Sequence, residues 1–184
     1  MFLNISNHPS SKWTTEQLNA ARLLAGGHLV CAVCGQSCPN GFCPYCNGNL
    51  PGPSPTKVVG GEVRDIQFPN VPPTASYREV QLMANALVAD LPWEGARGGC
   101  YHRATPGEGP TAQRMAVQDE GSEAFEGPNV AMVQGEFSLT YELSRMMMAL
   151  GWSVVVATTE RLVEEVDGKK VVTFKFVRFR ALRK

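Results

Sequence analysis

Five of the six cysteines stand within CAVCGQSCPNGFCPYC, residues 31 to 46. Cys31-x-x-Cys34 and Cys43-x-x-Cys46 have the spacing at which two thiolates reach one ion, and each pair is followed by a small or turn-forming residue, Gly35 or Asn47. A tight turn there lets backbone N–H groups bond the thiolates. Four thiolates at about 2.3 Å from Zn²⁺ make a closed tetrahedral site with no open position. The expectation is therefore a structural zinc held by Cys31, Cys34, Cys43 and Cys46, and no catalytic metal. Cys38, between the pairs, is a spare or replaces one ligand; Cys100 and His102 are weaker candidates. Free reduced thiols and a redox dithiol are the competing readings. The second is opposed by the absence of a helix opening on either pair.

A second set of residues is quieter. SNHPSSKW carries Ser6, Asn7, His8, Ser10, Ser11 and Lys12; QGEFSLT carries Gly135, Glu136, Ser138 and Thr140; TTER carries Thr158, Thr159 and Arg161. Hydroxyls, amides and two cations of this kind suit a phosphate-bearing ligand, with Arg161 able to hold a phosphate bidentately. His8 titrates near neutrality unless perturbed, which suits proton transfer. Each also has an ordinary reading. Thr14 and Ser138 precede helices as caps do, and Glu136 is an acid favoured by a helix N-terminus. His8 can bond within its own loop. Arg161 can pair with Glu164 or Glu165. Trp13 is a packing residue or a base-stacking one.

These residues need elements to position them. FLNIS, GEVRDIQF, NVAMVQ and WSVVVA read as strands, the last as one buried on both faces. TTEQLNAARLLAGG, SYREVQLMANALVADL and SLTYELSRMMMAL read as helices. Thr14 with Gln17, and Ser76 with Glu79, match a capping box. RLVEEV and KKVVTFKFVRFRAL form a hairpin with Asp167-Gly168 at its turn and a bulge near Phe176. The basic character of that last strand reads as a solvated face. Met146, Met147 and Met148 read as helix core.

Strands separated by helices imply right-handed crossovers and a mainly parallel sheet with helices on both faces, a Rossmann-like three-layer α/β sandwich. In such a sheet ligands bind outside the carboxyl ends of the strands. SNHPSSKW, PNVPPTAS, QGEFSLT and TTER each follow a strand and are expected to converge on that edge, with two helix N-termini favouring an anion. No G-x-G-x-x-G, P-loop or nucleophile elbow is present, which disfavours a standard dinucleotide fold, a P-loop NTPase and an α/β-hydrolase. The chain reads as one domain, 1–184, with a zinc-ribbon or knuckle module inserted at 31–58 and a long flexible insertion or loop at 92–129.

The stretches LNISNHPSSKW, QGEFSLTYEL and ATTERLVEEV, with this layout, resemble the CARF (CRISPR-associated Rossmann fold) proteins of type III CRISPR systems, above all the small ring nucleases. The likeness covers 1–29, 62–91 and 129–184; the cysteine module and the 92–129 segment depart from it. It implies a homodimer holding a cyclic oligoadenylate, cyclic tetra-adenylate for preference, on its two-fold axis, and metal-independent cleavage by a ribose 2′-OH. Carried over, His8, Ser11, Lys12 and Arg161 would be catalytic. Ser6, Asn7, Ser10, Gly135, Glu136, Ser138, Thr140, Thr158 and Thr159 would bind the ligand. A non-catalytic cyclic-nucleotide sensor or sponge, and an interaction protein acting through its zinc module, are the alternatives.

The 184 residues carry 17 Lys and Arg against 17 Asp and Glu, a formal charge of zero, which argues against a general coat for long nucleic acid or a membrane surface. No apolar run is long enough to span a bilayer, and MFLNISNHPSS lacks the pattern of a secretory signal. The expected location is the cytoplasm, where clustered cysteines are metal ligands rather than disulfides.

Overall fold

Two short, largely apolar strands lie side by side at the centre of the sheet and set its layers. A computed structural model describes residues 1–38, 41, 43, 45–46, 56–91, 129–166 and 169–182. Strand β1 (Phe2–Ser6) is buried along its whole length, and β5 (Val130–Gln134) is buried except at its last residue. They pair in parallel, with β4 (Val63–Gln67) parallel on the outer side of β1 and β6 (Ser153–Val166) parallel to β5. The antiparallel strand β7 (Lys169–Ala181) closes the order β4-β1-β5-β6-β7. This is the expected α/β architecture with a mainly parallel sheet.

The order dictates where the helices lie. From β1 the chain moves to β4 through α1 (Thr15–Leu24); from β4 it moves back past β1 to β5 through α2 (Tyr77–Ala89), and on to β6 through α3 (Phe137–Ala149). Reversing direction with the same right-handed crossover puts α1 on one face and α2 with α3 on the other. The two cores agree. Leu3, Ile5, Val133 and Val154 pack with Val80, Ala84, Leu139, Leu143 and Met147 on the α2–α3 side. Phe2, Met132, Val155 and Phe179 pack with Ala21, Leu24 and Trp13 on the α1 side. Each fully buried Leu, Ile, Val, Phe or Met among these contributes roughly 1.5–3 kcal/mol of transfer free energy.

Helices α2 and α3 are also joined by polar groups. Glu142 is 1% exposed; it accepts from the Tyr77 hydroxyl and from Arg145 Nη2 at 3.0 Å, and these partners hold its carboxyl below the usual range. The Ser76–Glu79 capping box forms in both directions, whereas at α1 the Thr14 hydroxyl accepts from Gln17 N–H.

Two expectations are corrected. The cysteine module is flanked by two strands that the sequence pattern did not mark: β2 (His28–Cys31) and β3 (Thr56–Val59) form a separate antiparallel pair, with Cys31 at the far end of β2. The strand read as WSVVVA continues without a break through TTER to Val166, because β-branched and alternating residues keep β6 paired with β7. The bulge is found, opposite Thr158/Thr159. Asp167-Gly168 and the 92–128 part of the long insertion lie outside the described residues, as does 47–55 of the cysteine module.

Candidate functional site

Two places could do chemistry, and they lie at opposite ends of α1. The first is the cysteine cluster. Cys31 follows directly from β2, and an isolated bridge between Val30 and Ser37 folds the chain back across it. Cys31 Sγ lies 3.8 Å from Cys46 Sγ, Cys34 Sγ lies 3.4 Å from Cys43 Sγ, and all four sulfurs lie within 4.8 Å of one another. Sulfurs at about 2.3 Å from a tetrahedral ion stand about 3.8 Å apart, so the cluster has the size of a metal site.

Its electrostatics follow from the two turns. Backbone N–H groups of Cys34 and Val33 favour the Cys31 thiolate, the latter at 3.4 Å, and lower its pKa. Burial opposes ionisation of Cys43, yet the N–H groups of Tyr45 and Cys46, aided by the neighbouring thiols, hold its pKa at about 6. The leading cysteine of each pair is thus set up as an anionic ligand. Cys38 is buried beside them but donates to the Gln36 carbonyl at 3.3 Å, and it is not among the four converging sulfurs. Four close cysteines of this kind can hold a metal ion. Cys100 and His102 lie outside the described residues.

The second place is the carboxyl edge of the sheet. The connections from β1 and β5 leave toward opposite faces, which opens a crevice between the ends of these strands. The loop after β1 is held from below. Asn4, fully buried in mid-strand, donates to the His8 carbonyl at 2.8 Å and to Asp65 Oδ1 at 2.6 Å, and accepts from Ser6 Oγ at 2.7 Å. Asp65 also accepts from Ser10 N–H and Ser10 Oγ, at 2.9 and 2.8 Å. Asn7 Oδ1 accepts from Gln67 Nε2 at 3.0 Å. A short 3-10 turn, Ser10–Lys12, completes the loop, and Trp13 anchors it edge-on to Phe2 with ring centres 6.1 Å apart.

Ser6 and Ser10 are thereby engaged within the protein. His8, Ser11 and Lys12 are exposed, and their side chains make no hydrogen bond or ion pair among the described residues. Asn4 and Asp65 were missed as functional support. The signal was a lone Asn inside apolar FLNIS and an Asp that breaks the alternation of GEVRDIQF.

The loop after β5 differs from expectation. Glu136, not Ser138, is the N-cap of α3: its carboxylate accepts from Ser138 N–H and Leu139 N–H, both at 3.0 Å, and from Ser138 Oγ at 2.6 Å. The Ser138 hydroxyl first, then these N–H groups, hold the Glu136 carboxyl below its usual range. The anion at this helix end is the protein's own. Packing against Phe68 by itself calls for glycine at 135, since a Cβ there would stand 2.4 Å from the ring. Thr140 lies a turn inside α3 with its hydroxyl buried and unpartnered among the described residues.

The TTER residues are not an edge loop. Thr158 donates its hydroxyl to the Arg178 carbonyl at 3.0 Å across the ladder. Thr159 is exposed just beyond the edge. Arg161 lies four residues past Ala157, about 13 Å further along the strand, opposite Phe174. A groove of about 520 Å³ lined by Arg22 and Val58, Val59, Gly60, Gly61 and Glu62 opens at the other end of α1, under the β2–β3 pair. Among the described residues no helix is long and apolar enough to cross a membrane.

A family model described as the Uncharacterized protein MJ1673 family matches residues 113–180, a stretch that takes in β5, α3, β6 and most of β7. No curated protein and no solved structure matches the chain.

Proposed function

We propose that the chain is a Rossmann-like protein of CARF type that binds a phosphate-bearing nucleotide, of the cyclic oligoadenylate class, at the crevice between β1 and β5. The observation that supports this is the β1–α1 loop: a network from buried Asn4 and Ser6 to exposed Asp65 fixes its backbone, while the side chains of His8, Ser11 and Lys12 stand exposed at its crest without partners among the described residues. Rigid backbone beneath uncommitted donors is what preorganised recognition requires.

Cleavage is the finer reading. The ribose 2′-oxygen would form a bond to its own phosphorus as the bond to the 5′-oxygen breaks. The 2′ proton would pass to His8, and the leaving oxygen would take a proton from water or from His8 in return. Lys12 would offset the charge on the phosphorus oxygens. A non-catalytic sensor is favoured by a different observation: Ser10, Glu136, Ser138 and Thr158 are already hydrogen-bonded within the protein, which leaves few groups for chemistry.

The test is incubation with radiolabelled cyclic tetra-adenylate in EDTA, with metal content checked afterwards. Linear product, lost in His8→Ala and Lys12→Ala, supports cleavage. Tight binding with intact ring recovered supports sensing. No binding at all removes both. For the cysteine cluster we propose zinc. Cys31, Cys34, Cys43 and Cys46 would hold it, and a closed tetrathiolate ion would supply folding free energy to the β2–β3 unit rather than catalysis.

A further inference from the structure

The cysteine module brings five thiols together, and a tetrahedral ion uses four of them. Cys38 is the fifth. It is fully buried, lies in one packed cluster with Cys31 and Cys43, and donates its S–H to the Gln36 carbonyl at 3.3 Å. An S–H is a weak donor, so that bond is easily given up. A short ladder sets its position. The Cys31 N–H donates to the Gln36 carbonyl and the Cys38 N–H to the Leu29 carbonyl, both at 2.8 Å, on either side of the Val30–Ser37 bridge. Alternation then puts Cys31 and Cys38 on the same face of the ladder, diagonal to one another.

The four converging cysteines differ in access. Cys31 and Cys43 are buried, Cys46 is half-buried and Cys34 is exposed. Residues 32 to 37 are exposed with Cys34, and a Cβ at Gly35 would meet nothing within 4 Å. A group added to Cys34 therefore has room in solvent. Cys34 Sγ lies 3.4 Å from Cys43 Sγ, and Cys38 shares its buried cluster with that same Cys43. The most reachable thiol of the site and the spare thiol thus adjoin one common neighbour. Reactivity of a cysteine follows its thiolate character and its access, and a metal ligand is held as thiolate.

We propose that Cys34 is a modification site for soft carbon electrophiles, and that Cys38 is a reserve ligand that keeps the metal in place once Cys34 is taken. The Cys34 thiolate adds across an activated alkene. A carbon–sulfur bond forms, the π bond breaks, and the neighbouring carbon takes a proton from water. The thioether so formed carries no charge and leaves the site. Cys38 turns from the Gln36 carbonyl by a change of χ1 rotamer, returns its own proton to water, and completes the set Cys31, Cys38, Cys43 and Cys46. Four thiolates stand around the site before and after, so its charge is conserved. This inference rests on the metal reading of the cluster and is independent of the nucleotide reading.

The experiment treats the zinc-loaded full chain with limiting N-ethylmaleimide, in a Cys100→Ser background so that the sixth cysteine does not compete. Peptide mass spectrometry locates the adduct, and a chromogenic chelator reads released zinc. The first adduct should fall on Cys34, with the metal staying near its starting value of about one ion per chain. Adding Cys38→Ser should leave the starting metal content unchanged, but the same Cys34 adduct should then release the ion. With Co²⁺ in place of zinc, thiolate-to-metal absorption should be as strong after modification as before when Cys38 is present, and should fall when it is Ser. Cys34→Ser should keep the metal, and Cys34→Ser with Cys38→Ser should lose it. A first adduct on another cysteine, metal released although Cys38 is present, or metal retained after the Cys34 adduct in Cys38→Ser overturns the proposal while leaving the four-cysteine site intact. A chain that takes up no metal before treatment removes the site and this inference together. The maleimide arms need no Cys34 variant, so they decide the matter even where Cys34→Ser fails to fold.

Discussion

The cysteine cluster and the carboxyl-edge loop were both nominated by residue type, and they fared differently. At the cluster the fold brings four named sulfurs to mutual distances that a single ion can satisfy, and it leaves the fifth, Cys38, outside. At the edge the fold takes most of the named groups for itself. Asp65 holds Ser10, Glu136 caps α3 with Ser138, Thr158 bonds the facing strand, and Phe68 fills the space beside Gly135. The difference lies in what each motif demands. A C-x-x-C pair carries its own geometry, because its tight turn aims thiolate and N–H together. A list of hydroxyls carries none, because Ser, Thr and Asn bond nearby backbone as readily as a ligand.

The sharpest way to break the comparison is to remove one thiolate. Cys43→Ser should lower metal content from about one ion per chain to near zero, while Cys38→Ser should leave it unchanged; elemental analysis reads both. Hydrogen exchange should show His28–Cys31 and Thr56–Val59 losing protection while β1 and β5 keep theirs, since those central strands pair with each other, β4 and β6 and not with β2 or β3. Equal metal content in both variants would mean that the four sulfurs are not the ligands.

Next in size is the support beneath the edge loop. Asn4→Ala removes a fully buried side chain that bonds the Ser6 hydroxyl, the His8 carbonyl and Asp65, each of which keeps one other partner, at about 1–2 kcal/mol. Chemical denaturation should show this loss. Lys12→Ala should leave stability unchanged and weaken nucleotide binding about tenfold, as expected when one charge-assisted hydrogen bond to phosphate is removed. If Lys12→Ala binds as the wild type does, the ligand is not held at this loop.

Much of the architecture was legible because the patterns are local. Thr14, Ser76 and the apolar stripes of α1 to α3 mark the helices, and the largely apolar β1 and β5 mark buried central strands. The β2–β3 pair was not legible, because HLVC and TKVV are four residues each and are brought together from 25 residues apart. The end of β6 was misplaced for a related reason: Thr, Glu and Arg in TTER look like a loop, yet their partner strand keeps them extended. At the edge, Asn4 and Asp65 are 61 residues apart, and only the parallel register of β1 with β4 makes them neighbours.

The smallest effect asks which helix end is open to a phosphate. Glu136 holds the N-terminus of α3 with its own carboxylate, and its pKa is lowered by the Ser138 hydroxyl and the N–H groups of Leu139 and Ser138. A carboxyl whose folded pKa lies below its unfolded value stabilises the fold fully above that unfolded value, about 4.3, and loses the contribution as pH falls through the lower folded one. Glu136→Gln should therefore lower the melting temperature slightly at pH 7, and the difference from wild type should shrink as pH falls below about 4. It also removes the competing anion. If the ligand's phosphate sits only on the β1–α1 loop, affinity in Glu136→Gln stays within about twofold of wild type; a tenfold gain would place a phosphate at α3 after all and make the two ends of the crevice partners in one site.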